Sequence, residues 1–201
     1  QDRLPYNRRR VLEANQSIST IKGERFRVYP PEEGVAIIRT IAEHRWPMTI
    51  NEAFVLRDQF GWKPAPDDGR YFVTSVSSGN EDGSIDRDIT DRSLVSEISF
   101  NLSAAFRQDV PPEIQATVQS AYVSYVNALN SLYGAGDAES DQTVASTQWI
   151  LPSRASVIIS ATRGIVSAVV ESPAMLDLTE AEQHYWLFVF EGVVGGAYRL
   201  V

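Results

Sequence analysis

Between residues 30 and 62 apolar side chains recur at three- and four-residue spacing: Val35, Ile38, Ile41 and Ala42, then Ala53, Leu56 and Phe60. That period marks one buried stripe of an amphipathic helix, so two helices are predicted, joined at Trp46-Pro47. Pro30-Pro31-Glu32-Glu33 supplies the first start, since proline suits the opening turn and carboxylates favour the positive end of the helix dipole. Thr49-Ile50-Asn51-Glu52 has the spacing of a capping box, and Gly61 is placed to end the second helix. A longer stripe follows Asp109-Val110-Pro111-Pro112-Glu113: Ile114, Val118, Ala121, Tyr122, Tyr125, Leu129 and Leu132, closing at Tyr133-Gly134. A further helix is expected from the second capping-box pattern, Thr179-Glu180-Ala181-Glu182, to about Phe190.

Elsewhere the period is two, as half-buried strands require. Residues 17–29 alternate in part through Ile18, Ile21, Phe26 and Val28, and residues 70–77 alternate as a strand does. Asp82-Gly83 is a hairpin dipeptide. Residues 84–90 read as a polar strand or a loop, and residues 94–102 present Ile98, Phe100 and Leu102 on one side. Three strands follow at residues 145–151, 155–160 and 165–171, with an extra strand after Gly195-Gly196. Residues 135–141 read as a flexible acidic loop. Short connections favour antiparallel neighbours. The expected fold is α+β: an antiparallel sheet of about five to seven strands packed against one long helix, with the N-terminal helical pair at its edge. Residues 1–17, with Arg3, Arg8, Arg9 and Arg10, form a basic arm, and residues 18–201 form a single domain.

Composition narrows the functional classes. Of 201 residues 43% are hydrophobic, enough for one continuous core. The formal charge of −8 disfavours nucleic acid and anionic membranes as partners, because both require clustered cations, and it complements a basic protein surface. Absence of cysteine excludes disulfides and thiolate metal sites. Residues 185–201 are interrupted by Glu191, Arg199 and glycines, so no membrane insertion is predicted. The expected location is the cytoplasm, with a leader ahead of Gln1 left open.

His44 and His184 lack a spacing partner of the H-E-x-x-H kind, and His44 suits the C-terminal end of a helix dipole. Nucleophile-elbow, P-loop and dinucleotide-binding patterns are absent. Asp67-Asp68, Glu81-Asp82 and Asp86/Asp88/Asp91 lack calcium-loop spacing, so neither metal nor cofactor is expected. The acidic loops instead suggest a partner surface, formed by Asp82, Asp86, Asp88 and Asp91 with Asp137, Glu139 and Asp141. Such a surface steers a basic partner; the alternative is a solvated face. Trp186, beside Tyr185 and Phe188, is a candidate exposed anchor. Trp46, Trp62 and Trp149 are expected in the core or at joints. Asn15-Gln16-Ser17 and Asn101-Leu102-Ser103 match the glycosylation triplet.

The run H-R-W-P-M-T-I-N-E-A followed by D-Q-F-G-W, together with Gln148-Trp149 and Ser172-Pro173, resembles a family of uncharacterised actinobacterial proteins over residues 30–175. Its members open with a helix, a W-P-W-T joint and a short helix ending in G-W; here Met48 stands where an aromatic is usual. The resemblance carries over no catalytic residues. Members are similar in size and architecture to immunity proteins that neutralise secreted bacterial toxins. The expected function is therefore a non-catalytic protein-binding module, most concretely an immunity-type inhibitor. A secretion chaperone or adaptor, and an enzyme of unknown class, are the alternatives.

Overall fold

A computed structural model of the chain describes residues 17–21 and 24–195. The basic arm and the strand expected after Gly196 lie outside these residues, as does the Asn15 triplet. Helix α1 (Pro31–Ala42) opens with proline in its first turn followed by Glu32 and Glu33. Helix α2 (Ile50–Gln59) has the expected capping box: the Thr49 hydroxyl accepts from the Glu52 amide at 3.2 Å, and Glu52 Oε2 accepts from the Thr49 amide at 2.7 Å. Gly61 follows α2 at φ +72°, in the left-handed region that suits a residue without Cβ.

The main sheet is antiparallel throughout and has eight strands, in the order β3-β4-β5-β6-β10-β9-β8-β7. In chain order these are β3 (Lys63–Pro64), β4 (Tyr71–Val73), β5 (Gly83–Arg87), β6 (Val95–Asn101), β7 (Asp137–Ser140), β8 (Ala145–Ile150), β9 (Ser156–Ala161) and β10 (Val166–Glu171). The count exceeds five to seven because both edges are extended. Strand β7 occupies the expected acidic loop, and β3 adds two residues within a turn-rich stretch. Neither has an inward apolar series; each is held by backbone pairing to one neighbour. The stretch expected as one strand over residues 17–29 holds two: β1 (Ser17–Ile21) pairs antiparallel with β2 (Glu24–Val28) as a two-stranded sheet.

Two long helices are present where one was expected. Helix α3 (Pro112–Tyr133) has 22 residues, and α4 (Pro173–Gly195) has 23. Helix α4 starts six residues before the Thr179 box. The Ser172 hydroxyl accepts from the Met175 amide at 3.0 Å ahead of Pro173, a preferred cap and first-turn pair. Thr179 is interior, its hydroxyl donating to the Met175 carbonyl at 3.1 Å. The helical pair also departs from its expected place at the edge. Helix α1 packs on α3 and across β9 and β10 in the middle of the sheet, while α2 lies against β5. Its buried set Val35, Ile37, Ile38, Ile41 and Ala42 is wide enough to meet both a helix and the sheet.

The core lies between one sheet face and the helices, and Tyr29 crosses it. Its hydroxyl accepts from Trp62 Nε1 at 3.0 Å and from the Ser75 amide at 3.2 Å, while its carbonyl accepts from the Tyr125 hydroxyl at 2.6 Å. Trp62 stacks on Phe72 with centroids 4.6 Å apart and tilts against Phe100 at 4.9 Å. Gly34 makes room for Tyr125: a Cβ there would lie 2.6 Å from its ring. Tyr29→Phe removes an acceptor from two donors at once, one of them buried. It is expected to lower the unfolding free energy by about 1–3 kcal/mol, read as a lower denaturant midpoint with unchanged slope.

Candidate functional site

Side chains alternate across each strand, so the ladder registers assign positions to faces. The inner face carries Ile85, Ile98, Phe100, Ala168, Val170, Val157, Ile159 and Trp149, all buried. The outer face runs in three cross-strand rows. One is Asp86, Glu97, Glu171, Ser156 and Ile150; the next is Tyr71, Ser84, Ser99, Val169, Ile158, Gln148 and Asp137; the last is Asn101, Ser167, Ser160, Ser146 and Glu139. These rows hold five carboxylates and neither lysine nor arginine. Every position in them is exposed or half-buried except Ser156 and Glu171.

The first row is electrostatically unusual. Asp86 stands opposite Glu97, and Glu97 opposite Glu171, on three successive strands. Like charges directly opposite are destabilising. Burial pushes the Glu97 carboxyl above its ordinary range, and the charges of Asp86 and Glu171 push it further. The Ser84 hydroxyl donates to Asp86 at 3.0 Å.

The acids singled out in the sequence fall into two sets. Asp86, Asp137 and Glu139 share the outer face, the last two fully exposed on β7. The others are engaged in their own loops. Asp82 turns inward and accepts from the Thr74 amide and hydroxyl, each at 2.6 Å, closing the β4–β5 loop. Burial raises its pKa against the opposing effect of those bonds. Asp88 accepts from the Thr90 hydroxyl at 2.5 Å and the Thr90 amide at 2.8 Å, and Asp91 from the Ser93 hydroxyl at 2.7 Å. Asp141 accepts from the Thr143 amide at 2.6 Å. These bonds hold all three below the usual carboxylate range.

The two acidic turns do not form one patch. Strands β5 and β7 are five strand spacings apart, roughly 24 Å, and their turns lie at opposite ends of the sheet. Trp186 is on α4, but its side chain lies outside the described residues; the neighbouring Tyr185 is exposed. Glu97 and Glu171 were not anticipated, because a single acid within an alternating strand looks like any solvent-facing position.

Among the described residues, concavities lie beside the Trp46-Pro47 joint and along α3. A cleft of about 240 Å³ lies between Trp46-Pro47 and Ser172-Pro173, with Asp88 its one ionisable lining residue. A groove of about 380 Å³ runs between Val28-Tyr29 and the small residues Ala116, Ser120 and Ser124 of α3. Neither brings together a carboxylate or histidine pair suited to acid–base chemistry. Among the described residues no three His, Cys, Asp or Glu are grouped so as to hold a metal ion. His44 Nε2, just beyond α1, is buried 3.7 Å from Glu52 Oε1. No described helix is long and apolar enough to cross a membrane.

The raised Glu97 pKa fixes the sign of a pH effect. A carboxylate that binds its proton more tightly when folded loses stabilising effect as pH rises from its ordinary value through the raised one. Glu97→Gln is therefore expected to be more stable than the parent near pH 7, by about 0.2–1 kcal/mol for each relieved like-charge pair. The advantage shrinks as pH falls through the raised value towards the ordinary one; denaturant unfolding of both proteins at pH 4 and pH 7 reads the difference.

Comparison with known proteins adds a partial likeness to the "N,N-dimethylformamidase beta subunit" of Paracoccus aminophilus, 33% identical over 105 residues. That match spans 51% of this chain and 13% of the subunit. No solved structure matches. Residues 32–172, from the start of α1 to the cap of α4, match the family described as "Family of unknown function (DUF6301)", and the chain belongs to that family.

Proposed function

We propose that the chain is a non-catalytic protein-binding module whose outer sheet face docks a basic partner, and that it acts as an immunity-type inhibitor of a bacterial toxin. The observation that supports this most is the set of five carboxylates on one sheet face, where the paired strands add a single cation, Lys63 opposite Val73 at the β3 edge. The chain's formal charge of −8 adds a long-range field of the same sign. A predominantly acidic surface raises encounter rates with a basic partner and disfavours acidic ones. Inhibition follows where such a sheet covers a cleft that binds an anionic substrate. A cytoplasmic inhibitor meets the toxin inside the cell that makes it.

The amidase-subunit likeness favours a second reading, in which the domain serves within an enzyme assembly. Turnover of N,N-dimethylformamide by the chain together with proteins encoded beside it would favour that reading.

The immunity reading is tested with toxins encoded next to this chain. One-to-one binding is expected, weakening steeply between 50 and 300 mM salt, with loss of the toxin's activity. Asp137→Lys combined with Glu139→Lys should lower the association rate about tenfold while the fold is retained, because both side chains are exposed. Failure of every neighbour-encoded product to bind would sink the reading.

A further inference from the structure

We propose that the cleft between Trp46-Pro47 and Ser172-Pro173 binds a small methylated ammonium compound of the choline type. The inference is independent of the docking reading above, which uses the outer sheet face.

The cleft is built from segments tied together by backbone bonds. The Val95 amide donates to the Met48 carbonyl at 2.9 Å, just after Trp46-Pro47, and the Ser172 amide donates to the Ser96 carbonyl at 2.7 Å. The Asp88 amide donates to the Leu94 carbonyl at 3.0 Å, and both residues line the space. A concavity of about 240 Å³ held in this way receives a ligand without rearrangement. An apolar cavity of about 150 Å³ admits benzene, so a trimethylammonium group is of a size to enter.

The lining selects a cation with an apolar skin. Trp46, Leu94 and Val95 are apolar, and Pro47 and Pro173 lack amide hydrogens, so the walls offer an anion few donors. Asp88 is the one ionisable residue among them. Its Oδ1 takes the side chain's hydrogen bonds, from the Thr90 hydroxyl at 2.5 Å, the Thr90 amide at 2.8 Å and the Asp91 amide at 3.0 Å. Those bonds hold the carboxyl below its usual range, and it is a fixed negative charge at neutral pH. Among the described residues Oδ2 accepts no hydrogen bond and Asp88 forms no ion pair, so one carboxylate oxygen is left for a ligand.

The number of donors decides which cation. Guanidinium carries five N–H groups and a primary ammonium three, and each must find an acceptor when it leaves water. One carboxylate oxygen among apolar walls does not supply them. A methylated ammonium has few or no N–H groups and is attracted to aromatic rings, tryptophan most strongly. Trp46 is half-buried, its indole N–H donating to the Ala42 carbonyl at 3.4 Å. The Asp88 charge and the formal charge of −8 disfavour compounds that carry a phosphate beside the ammonium. A free choline-like compound is therefore favoured over a lipid headgroup.

The test uses the full chain with 15N-labelled tryptophan, titrated by NMR with choline. The uncharged isostere 3,3-dimethyl-1-butanol, methylguanidinium and phosphocholine serve as matched probes. A saturable shift of the Trp46 indole resonance, assigned with Trp46→Phe, is expected with choline. The isostere should bind roughly tenfold more weakly, and methylguanidinium and phosphocholine roughly threefold more weakly. Asp88→Asn should weaken choline roughly fivefold and leave the isostere unchanged. The replacement side chain keeps an oxygen to accept from Thr90 and hold the turn, and a merely structural role would not separate the two probes. Trp46→Leu should reduce the preference for choline over the isostere; if that variant does not fold, Asp88→Asn carries the test.

Absence of saturation at Trp46, equal binding of the isostere, or an Asp88→Asn chain that binds choline unchanged overturns the assignment. Methylguanidinium, phosphocholine or Nα-acetyl-Nε-trimethyllysine amide binding as tightly as choline overturns the ligand class.

Discussion

Tyr29 is the tie on which the rest of the structure depends. Its ring and backbone sit where β2 ends and α1 is about to begin, and it is 2% exposed. Its hydroxyl gathers Trp62 from the end of α2 and the backbone of the β4–β5 loop; its carbonyl receives the hydroxyl of Tyr125 from the middle of α3. Four segments far apart in sequence thereby meet around one residue. A buried polar network of this kind is tolerated only when its members are satisfied, and satisfying them fixes the relative placement of the parts. Trp62, stacked on Phe72 and tilted against Phe100, then fills the space beside it with aromatic surface.

That tie sets up the division between the two sheet faces. With α1 and α3 fastened over the inner face, the inner positions at the centre of the sheet, Ile98, Phe100, Val157, Ile159, Ala168 and Val170, are apolar, and the outer ones are free to be small and polar. Serine dominates the outer rows, at Ser84, Ser99, Ser146, Ser156, Ser160 and Ser167. Serine has little intrinsic preference for strands, so the sheet's stability comes from its inner face and its backbone ladders. The outer face carries correspondingly little of the folding free energy and can carry charge.

The legible parts of this fold are those written in side-chain periodicity. Helices α1, α2 and α3 follow their stripes and caps, and the central strands follow their alternating apolar residues. Strands β3 and β7 were hidden because backbone pairing alone defines them, and the start of α4 because Thr179-Glu182 satisfies the same capping rule as Ser172-Pro173. The candidate site was legible in kind but not in place. Asp137 and Glu139 are visibly acidic, yet their common face follows from pairing with Gln148 and Ser146. Glu97 and Glu171 lie 74 positions apart, and only the β6–β10 register sets them opposite each other. Asp82 announces a turn, but its capture by Thr74 is decided by the loop between them.

The blunt edges of the sheet bear on how the molecule behaves in a crowded cell. An open strand at a sheet margin is a template on which another chain can add, and the usual end point of such addition is fibrous aggregation. Here one margin is β3, two residues long with Pro64 lacking an amide hydrogen; the other is β7, four residues long with two carboxylates. Neither offers a flat, apolar row of unpaired backbone groups. The margins of this eight-stranded sheet thus offer little on which a neighbouring chain could add a strand.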